Sequence, residues 1–240
     1  MRGHAVVAEA SWTAHGPGGS LHLDLAARLM ADHGLTPDLL AAVVVATGPG
    51  SFTGIRAGVS VGHGLAEALS IPLIGVPTLS GLVAQMSGHA CAGDIACAII
   101  SAGRGAIHAW SAVIGNGPAE SCGEPVTATV QEVAAALAII GTATSRRVVV
   151  GGEVDAEQAR LFLASVPSCF VLSPTVTQRR AAWLAELARP MLAAMHADPS
   201  LWGGAAGGHV THFPEDVQPL YVVPHIGTRP PDLGWRVPLG

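Results

Sequence analysis

Apolar residues in this chain fall into short β-branched runs and into longer segments with helical spacing. The run Val43–Val45 is typical of a buried strand. Helical spacing predicts a helix over Ser20–His33, in which Leu21, Leu25 and Leu29 share one face. Strands alternate with helices along the chain, and an antiparallel hairpin is predicted near its middle. This order predicts a mixed-sheet α/β protein.

The stretch 43–76 predicts a strand, a tight turn and a helix in one piece. Ser51 or Thr53 can cap a helix that runs to about Leu69. Glycine recurs on this helix at every fourth position, and an alanine continues the row: Gly54, Gly58, Gly62 and Ala66. Two interpretations remain open. Either the row packs on the helix's own sheet, or one flank faces that sheet while the glycine flank receives a helix from a second subunit.

Composition indicates a compact globular protein with a large core. Of the 240 residues, 50% are hydrophobic and 12% are charged, and the net charge is −5. All 12 basic residues are arginines, and they form no basic stripe, so this chain is expected to contact nucleic acid only indirectly. No apolar run has the length of a signal peptide or a membrane span, so neither membrane insertion nor membrane binding is expected.

Cysteine and histidine spacing argues against disulfides and metals. The four cysteines have irregular spacing, which predicts reduced, mostly buried thiols and a cytoplasmic location. No two of the 11 histidines lie four residues apart, so a His-x-x-x-His pair cannot form. Neither a metal nor another resident cofactor is expected, and no base lies beside a nucleophile in a recognisable catalytic motif.

The segment from Thr47 to Gln85 contains GPGSFTGIRAGVSVGHGLAEALSIPLIGVPTLSGLVAQ. It resembles the signature of the TsaB (YeaZ-like) family, which serves tRNA threonylcarbamoyladenosine biosynthesis as an accessory and dimerization subunit. The resemblance implies an actin-like, RNase H-like (ASKHA) fold with two subdomains. The expected boundaries are 1–88 for the incomplete N-terminal subdomain with the partner-binding helices, 89–200 for the C-terminal subdomain, and 201–240 for a tail.

The resemblance also implies a function and a binding surface. It implies a noncatalytic scaffold that docks onto a TsaD-type transferase, joins a TsaE-type ATPase in the assembly, and self-associates when its partner is absent. The helices over Ser20–His33 and Phe52–Leu69 would meet another subunit in a four-helix arrangement. The expected interface residues are Leu21, Leu25, Leu29, Gly54, Ile55, Gly58, Val59, Gly62 and Ala66. The loop residues expected nearest to a nucleotide are Gly48, Gly50, Ser51, Thr53 and Arg56.

Two alternatives from other functional classes stay open. Some relatives of the family are called M22 glycoproteases, which would make this chain a hydrolase, although it lacks their metal-ligand pair. A sugar-kinase-like protein that binds ATP shares the same fold. No phosphate loop of the Walker type is present, because Ile55 stands where that motif needs lysine and the chain contains no lysine.

The chain departs from the family pattern at two places. Family members begin with a strand that ends in Asp-Thr-Ser and a second strand, and the first subdomain here is expected to lack roughly twenty such residues. A start codon placed downstream is the preferred explanation. At the middle hairpin, Ser101–His108 keeps one arginine and a glycine but has lost both carboxylates of the family motif.

Overall fold

The computed structural model describes residues 1, 3–11, 19–198, 217–220, 222 and 233–238, without the side chains of 19–22. The helices are α1 (Gly19–Asp32), α2 (Phe52–Leu69), α3 (Thr78–Met86), α4 (Val130–Thr144), α5 (Ala156–Ser165) and α6 (Ala181–Ala197). The strands are β1 (Val43–Gly48), β2 (Leu73–Pro77), β3 (Ile95–Gly103), β4 (Ala106–Val113), β5 (Glu120–Ser121), β6 (Val126–Thr129), β7 (Val148–Gly152) and β8 (Cys169–Val171). Single 3-10 turns occupy Pro37–Leu39 and Ser87–His89.

The chain forms two compact units. The first contains residues 1–78 and 180–220, and the second contains residues 79–179 and 221–240. These limits differ from the boundaries expected at 88 and 200. The difference arises because α6 covers β1 and β2, so Ala188 and Met195 form one apolar cluster with Ile74 and Val76. A helix that the chain order places late therefore completes the first unit.

In the first unit, two parallel strands are covered by a helix on each face. Strand β1 pairs with β2 from Val43 opposite Leu73. On one face, Val45 and Leu73 pack against Val59 of α2. On the other face lies α6, so β2 is buried along its whole length and carries no polar side chain. A continuous apolar run is what a strand buried on both faces requires.

The N-terminal segment contributes little to the sheet of the first unit. Within residues 3–11 only Ala5 takes part in a β-bridge. The segment instead supplies a cap to α6, whose own N-cap residue Arg180 makes no capping hydrogen bond. The Glu9 carboxylate accepts a hydrogen bond from the backbone N–H of Ala182 at 3.3 Å and another from Arg180 Nε at 2.8 Å. A carboxylate at a helix N-terminus satisfies backbone donors and complements the helix dipole.

The second unit is built on a mixed six-stranded sheet. Its strand order is β5-β4-β3-β7-β8, and β6 pairs with β4. The predicted hairpin is confirmed, because β3 and β4 pair antiparallel from Ile95 opposite Val113. Strands β3, β7 and β8 run parallel.

Side chains of β3 alternate between two apolar clusters. Ile95, Cys97 and Ile99 face the cluster that contains residues of α4 and α5. Ala96, Ala98 and Ile100 face the cluster that contains α3. Neighbouring strand residues point to opposite faces. Because helices cover both faces, the six consecutive residues 95–100 of β3 are all apolar. Of the residues described, none belongs to a helix with the length and hydropathy needed to cross a bilayer.

The four thiols of the second unit differ in burial. Cys91 is exposed, Cys97 and Cys122 are buried, and Cys169 is half-buried. Burial raises the pKa of Cys97 far above that of an ordinary thiol, and the neighbouring Cys122 and Cys169 add to this rise. Burial also raises the pKa of Cys122, and it raises the pKa of Cys169 to about 11.

These differences predict an order of alkylation. Because the thiolate is the reactive species, iodoacetamide near neutral pH should modify Cys91 at least about 100-fold faster than Cys97 in the folded protein. Peptide mass spectrometry after a time course measures the four rates, and urea-unfolded protein provides the control in which they converge. Equal rates for Cys91 and Cys97 before unfolding would contradict the buried position of β3.

Candidate partner-binding surface

The loop between β1 and α2 is closed by a segment from the end of the chain. Gly48 has φ +114°, and a Cβ atom there would lie 2.8 Å from the carbonyl oxygen of Leu220. The backbone N–H of Leu220 donates to the Thr47 carbonyl at 2.7 Å. Glycine is required at position 48 both by its positive φ and by this close approach. The loop therefore has a fixed shape where it enters α2.

Helix α2 begins where the sequence predicted. Ser51 is the N-cap, and its Oγ accepts a hydrogen bond from the N–H of Gly54 at 3.3 Å. The side-chain oxygen satisfies one of the backbone donors that have no partner inside a helix. Near the middle of the helix, His63 Nε2 lies 3.0 Å from the carbonyl oxygen of Val217. Val217 itself is buried in the cluster between α2 and the sheet.

One side of α2 packs on its own sheet. Ile55, Val59 and Ala66 belong to the cluster that covers β1 and β2. A Cβ atom at Gly62 would lie 2.5 Å from Val45 Cγ1 and 3.0 Å from Leu73 Cδ1. The structure thus places four of the expected interface positions against the chain's own strands. At these four positions the helix packs on its own sheet, which was one of the two interpretations that the sequence left open.

The other two expected glycines lie away from that sheet. At Gly54, a Cβ atom would contact only atoms of Ser51, at 3.4 Å. At Gly58, no heavy atom of the described structure lies within 4 Å of the Cβ position. Of the four residues in the glycine row, Gly62 and Ala66 therefore pack on β1 and β2, whereas Gly54 and Gly58 do not. The row twists away from the sheet because four residues are slightly more than one helical turn.

The outward side of α2 forms a shallow depression of about 320 Å³. It is lined by Phe52, Thr53, Arg56, Ala57 and Ser60, which together are called the outer face of α2. The aromatic ring of Phe52 is 56% exposed. The guanidinium carbon of Arg56 lies over this ring, 5.2 Å from its centroid. The remaining three side chains are small and uncharged.

Helix α1 packs beside α2 and contributes part of a second depression. Leu25 and Leu29 are half-buried and line a cavity of about 270 Å³ with Val6 of the N-terminal segment and Ala182 of α6. Both leucines thus face other parts of the first unit. Leu23 on the same helix is 43% exposed. The side chain of Leu21 lies outside the described residues.

The expected nucleotide-proximal residues lie at the end of β1, in the loop between β1 and α2 and in the first turns of α2. Gly48 and Gly50 shape the loop, both with positive φ, and Ser51 caps the helix. Thr53 and Arg56 lie on the outer face of α2. Phe52, Ala57 and Ser60 were not among the site residues expected from the sequence. The available signal was the spacing of four between Phe52 and Arg56, which places an aromatic ring and a cation side by side on a helix.

Across the described part of the chain, no three histidine, cysteine or acidic side chains come together as a set of metal ligands. A family model described as TsaD, tRNA N6-adenosine threonylcarbamoyltransferase, matches residues 21–143, which is just over half of the chain and includes all of α2 and all but the first two residues of α1. The chain belongs to this TsaD family.

The curated relatives match over a short region. The tRNA threonylcarbamoyladenosine biosynthesis protein TsaB of Bacillus subtilis is 44% identical over 57 residues, which are 24% of this chain and 25% of that protein. An uncharacterized protein of Mycobacterium tuberculosis is 46% identical over 59 residues, which are 25% of this chain and 28% of that protein. The matches therefore span only about a quarter of the length of these relatives of the TsaD family.

Solved structures extend the similarity to most of the chain. YeaZ from Pseudomonas aeruginosa has a TM-score of 0.58 at 19% identity, with 83% of this chain and 82% of that chain covered. An uncharacterized protein from the same organism, described as similar to peptidase YEAZ, has a TM-score of 0.62 at 20% identity, with 84% and 82% covered. The TsaB (YeaZ-like) assignment and the actin-like, RNase H-like fold expected from the sequence are confirmed.

Proposed function

We propose that this chain is a noncatalytic scaffold in the synthesis of N6-threonylcarbamoyladenosine in tRNA. It docks through α1 and α2 onto a TsaD-type catalytic subunit, and a TsaE-type ATPase joins the assembly. A role in this process is supported by membership in the TsaD family and by the similarity to a tRNA threonylcarbamoyladenosine biosynthesis protein of Bacillus subtilis. The proposed docking site is the outer face of α2 together with the neighbouring side of α1.

The observation that carries the docking proposal is the exposed outer face of α2. Apart from Phe52 and Arg56, its side chains are no larger than threonine, so the backbone of another helix can come close. Gly64, one turn beyond Ser60, continues this face and is exposed. Aromatic residues and arginines are enriched among the residues that dominate binding energy at interfaces.

Charge supports an indirect relation to tRNA. The net charge is −5, and several arginines are paired with carboxylates of the chain itself. Nucleic-acid affinity depends on several basic side chains that neutralise phosphates together. In the proposed assembly, the partner therefore provides most of the contacts to tRNA.

Added bulk on the outer face of α2 should block docking. In Ser60→Leu, an exposed hydroxyl is replaced by a branched side chain that holds the partner helix away, and we expect the Kd for the TsaD-type subunit of the same organism to rise at least about tenfold. Calorimetric titration of the two purified proteins measures it. The matched control is Ser165→Leu, the same change at an exposed position of α5 in the second unit.

Both the affinity and the unfolding temperature of each variant are needed to separate a loss of binding from a loss of folding. Ser60→Leu should unfold at the same temperature as the unchanged protein, because Ser60 is exposed. A variant that binds as tightly as the control would place the interface elsewhere. Failure of the unchanged chain to bind any TsaD-type subunit would remove the scaffold proposal.

A catalytic role is the second candidate, since the family description names a transferase. One structural neighbour is also described by its similarity to a peptidase. Transfer of threonylcarbamoyl to tRNA by this chain alone would favour catalysis over the scaffold role. Chelator-sensitive cleavage of a glycoprotein substrate by the purified chain would favour a hydrolase.

A further inference from the structure

We infer that the partner of the outer face of α2 presents a carboxylate-bearing side chain to Arg56. This inference rests on the proposed docking function and adds the chemistry of the contact. The partner would hold an aspartate or glutamate against the guanidinium group and an apolar side chain against the exposed ring of Phe52.

Like Arg28, Arg104 and Arg160, Arg56 has no ion pair among the described residues, and it differs from these three in lying over an aromatic ring. Ion pairs join Arg147 to Asp94, Arg179 to Glu153, Arg180 to Glu9 and Arg189 to Glu186. No carboxylate among the described residues is paired with Arg56. Its guanidinium group is exposed and lies over the ring of Phe52. This charge is therefore available to a carboxylate from outside the chain.

The ring contact leaves the hydrogen-bonding edge of Arg56 available. A guanidinium group that lies over an aromatic ring uses its flat face, whereas its N–H donors point outward in the plane of the group. Two of these donors match the spacing of the two oxygens of a carboxylate. Phe52 also restricts the motion of the long arginine side chain, which lowers the entropy lost on binding.

The surface around Arg56 favours an acidic partner in its charge and in the small size of the neighbouring side chains. The first turn of α2 contains no acidic residue, and the N-terminal end of a helix carries a partial positive charge. The neighbouring side chains of the outer face are Thr53, Ala57 and Ser60, which are small and neutral. An acidic side chain can reach Arg56 without meeting bulk or like charge. Charge complementarity of this kind sets partner choice and association rate.

A protein carboxylate fits this surface better than a tRNA phosphate. Phosphate backbones are bound by several basic residues arranged along a groove or stripe. The outer face of α2 carries a single cation beside an exposed aromatic ring, and the chain as a whole is acidic. One arginine with an aromatic neighbour is the composition of a protein interface.

Charge reversal at Arg56 tests the inference. Arg56→Glu places like charges together and should raise the Kd for the TsaD-type subunit at least about tenfold, whereas Arg56→Lys keeps the charge but loses the paired donors and the flat contact with Phe52, so it should raise the Kd by a smaller factor, about threefold. The affinity of the unchanged chain should fall as ionic strength rises, and Arg56→Glu should lose that dependence. Arg160→Glu makes the same change in net charge on an exposed residue of α5 and should bind normally.

The measurements separate this inference from the proposed function. If Ser60→Leu weakens docking while Arg56→Glu binds like the unchanged chain, the docking surface stands and the carboxylate contact is wrong. If Arg56→Glu leaves subunit binding intact but weakens tRNA binding by the assembled complex, Arg56 contacts phosphate, which also overturns the inference. If the unchanged chain does not bind the subunit, the proposed function itself fails. Unfolding temperatures of all variants identify any loss that is due to misfolding.

Discussion

Replacing Gly152 by alanine should destabilise the second unit by about 3 kcal/mol or more. Gly152 ends β7 with φ +113°, and a Cβ atom there would lie 2.1 Å from the carbonyl oxygen of Ile99. That oxygen is fixed, because it accepts a hydrogen bond from the N–H of Glu153 at 2.8 Å. The cost combines backbone strain of about 1–3 kcal/mol with overpacking of about 1–3 kcal/mol. Urea unfolding followed by circular dichroism measures the loss.

Gly103→Ala is the matched control for that variant. Gly103 ends β3 with φ +77°, so alanine is strained there as well, but no heavy atom of the described structure lies within 4 Å of its Cβ position. We expect a loss of about 1–2 kcal/mol from strain alone. Equal losses for the two variants would show that the contact with Ile99 contributes nothing. Hydrogen exchange at the β3 and β7 amides locates the effect.

Replacing Gly62 by leucine should separate α2 from its sheet and destabilise the first unit by about 3 kcal/mol. The Cβ position lies 2.5 Å from a methyl group of Val45, which cannot rotate away easily because valine is branched at Cβ. The rest of a leucine side chain has no space between α2 and β1. Thermal and urea unfolding measure the change.

Gly64→Leu is the control on the same helix. Gly64 is exposed, and no heavy atom of the described structure lies within 4 Å of its Cβ position. Stability should rise by about 0.5–1 kcal/mol, because leucine favours the helix more than glycine does. The same variant should weaken partner binding, since Gly64 continues the outer face of α2. Unfolding of Gly64→Leu to the extent of Gly62→Leu would contradict the assigned orientation of α2.

Local elements of the fold could be predicted from the sequence because their signals are local. The run Val43–Val45 lies in β1, and Ser51 caps α2 as expected. The segment that begins at Asp155 forms α5 with that aspartate as N-cap. In each case the backbone preference and the capping group occur within a few residues of each other.

The unit to which α6 belongs could not be predicted in the same way. Its apolar stripe indicates a buried face, but apolar contact has no direction and does not specify which sheet it covers. Ala188 and Met195 pack with Ile74 and Val76, more than 100 residues earlier in the chain. The sequence-based boundary assigned residues 180–200 to the second subdomain because they follow it in the chain. In the structure, α6 buries its apolar side chains against β1 and β2 of the first unit.

The candidate site shows the same limit on a smaller scale. The spacing of Gly54, Gly58 and Gly62 indicated a close approach to another backbone, and the approach exists at Gly62. The sequence did not determine that its own β1 is the neighbour there. Phe52 was not among the expected site residues, because its exposure depends on how α2 is rotated over the sheet. That rotation is set by Val45 and Leu73, which lie outside the helix.

The split composition of the first unit has a consequence for synthesis on the ribosome. Ile74 and Val76 emerge early, but α6, which covers them, emerges more than 100 residues later, and Val217 later still. At typical translation rates this delay is on the order of ten seconds. During that time β2 has no cover on one face, so nascent chains should bind chaperones that recognise apolar segments. The outer face of α2 reaches its final support only after Val217 is made, so we expect the proposed assembly with a partner to follow translation.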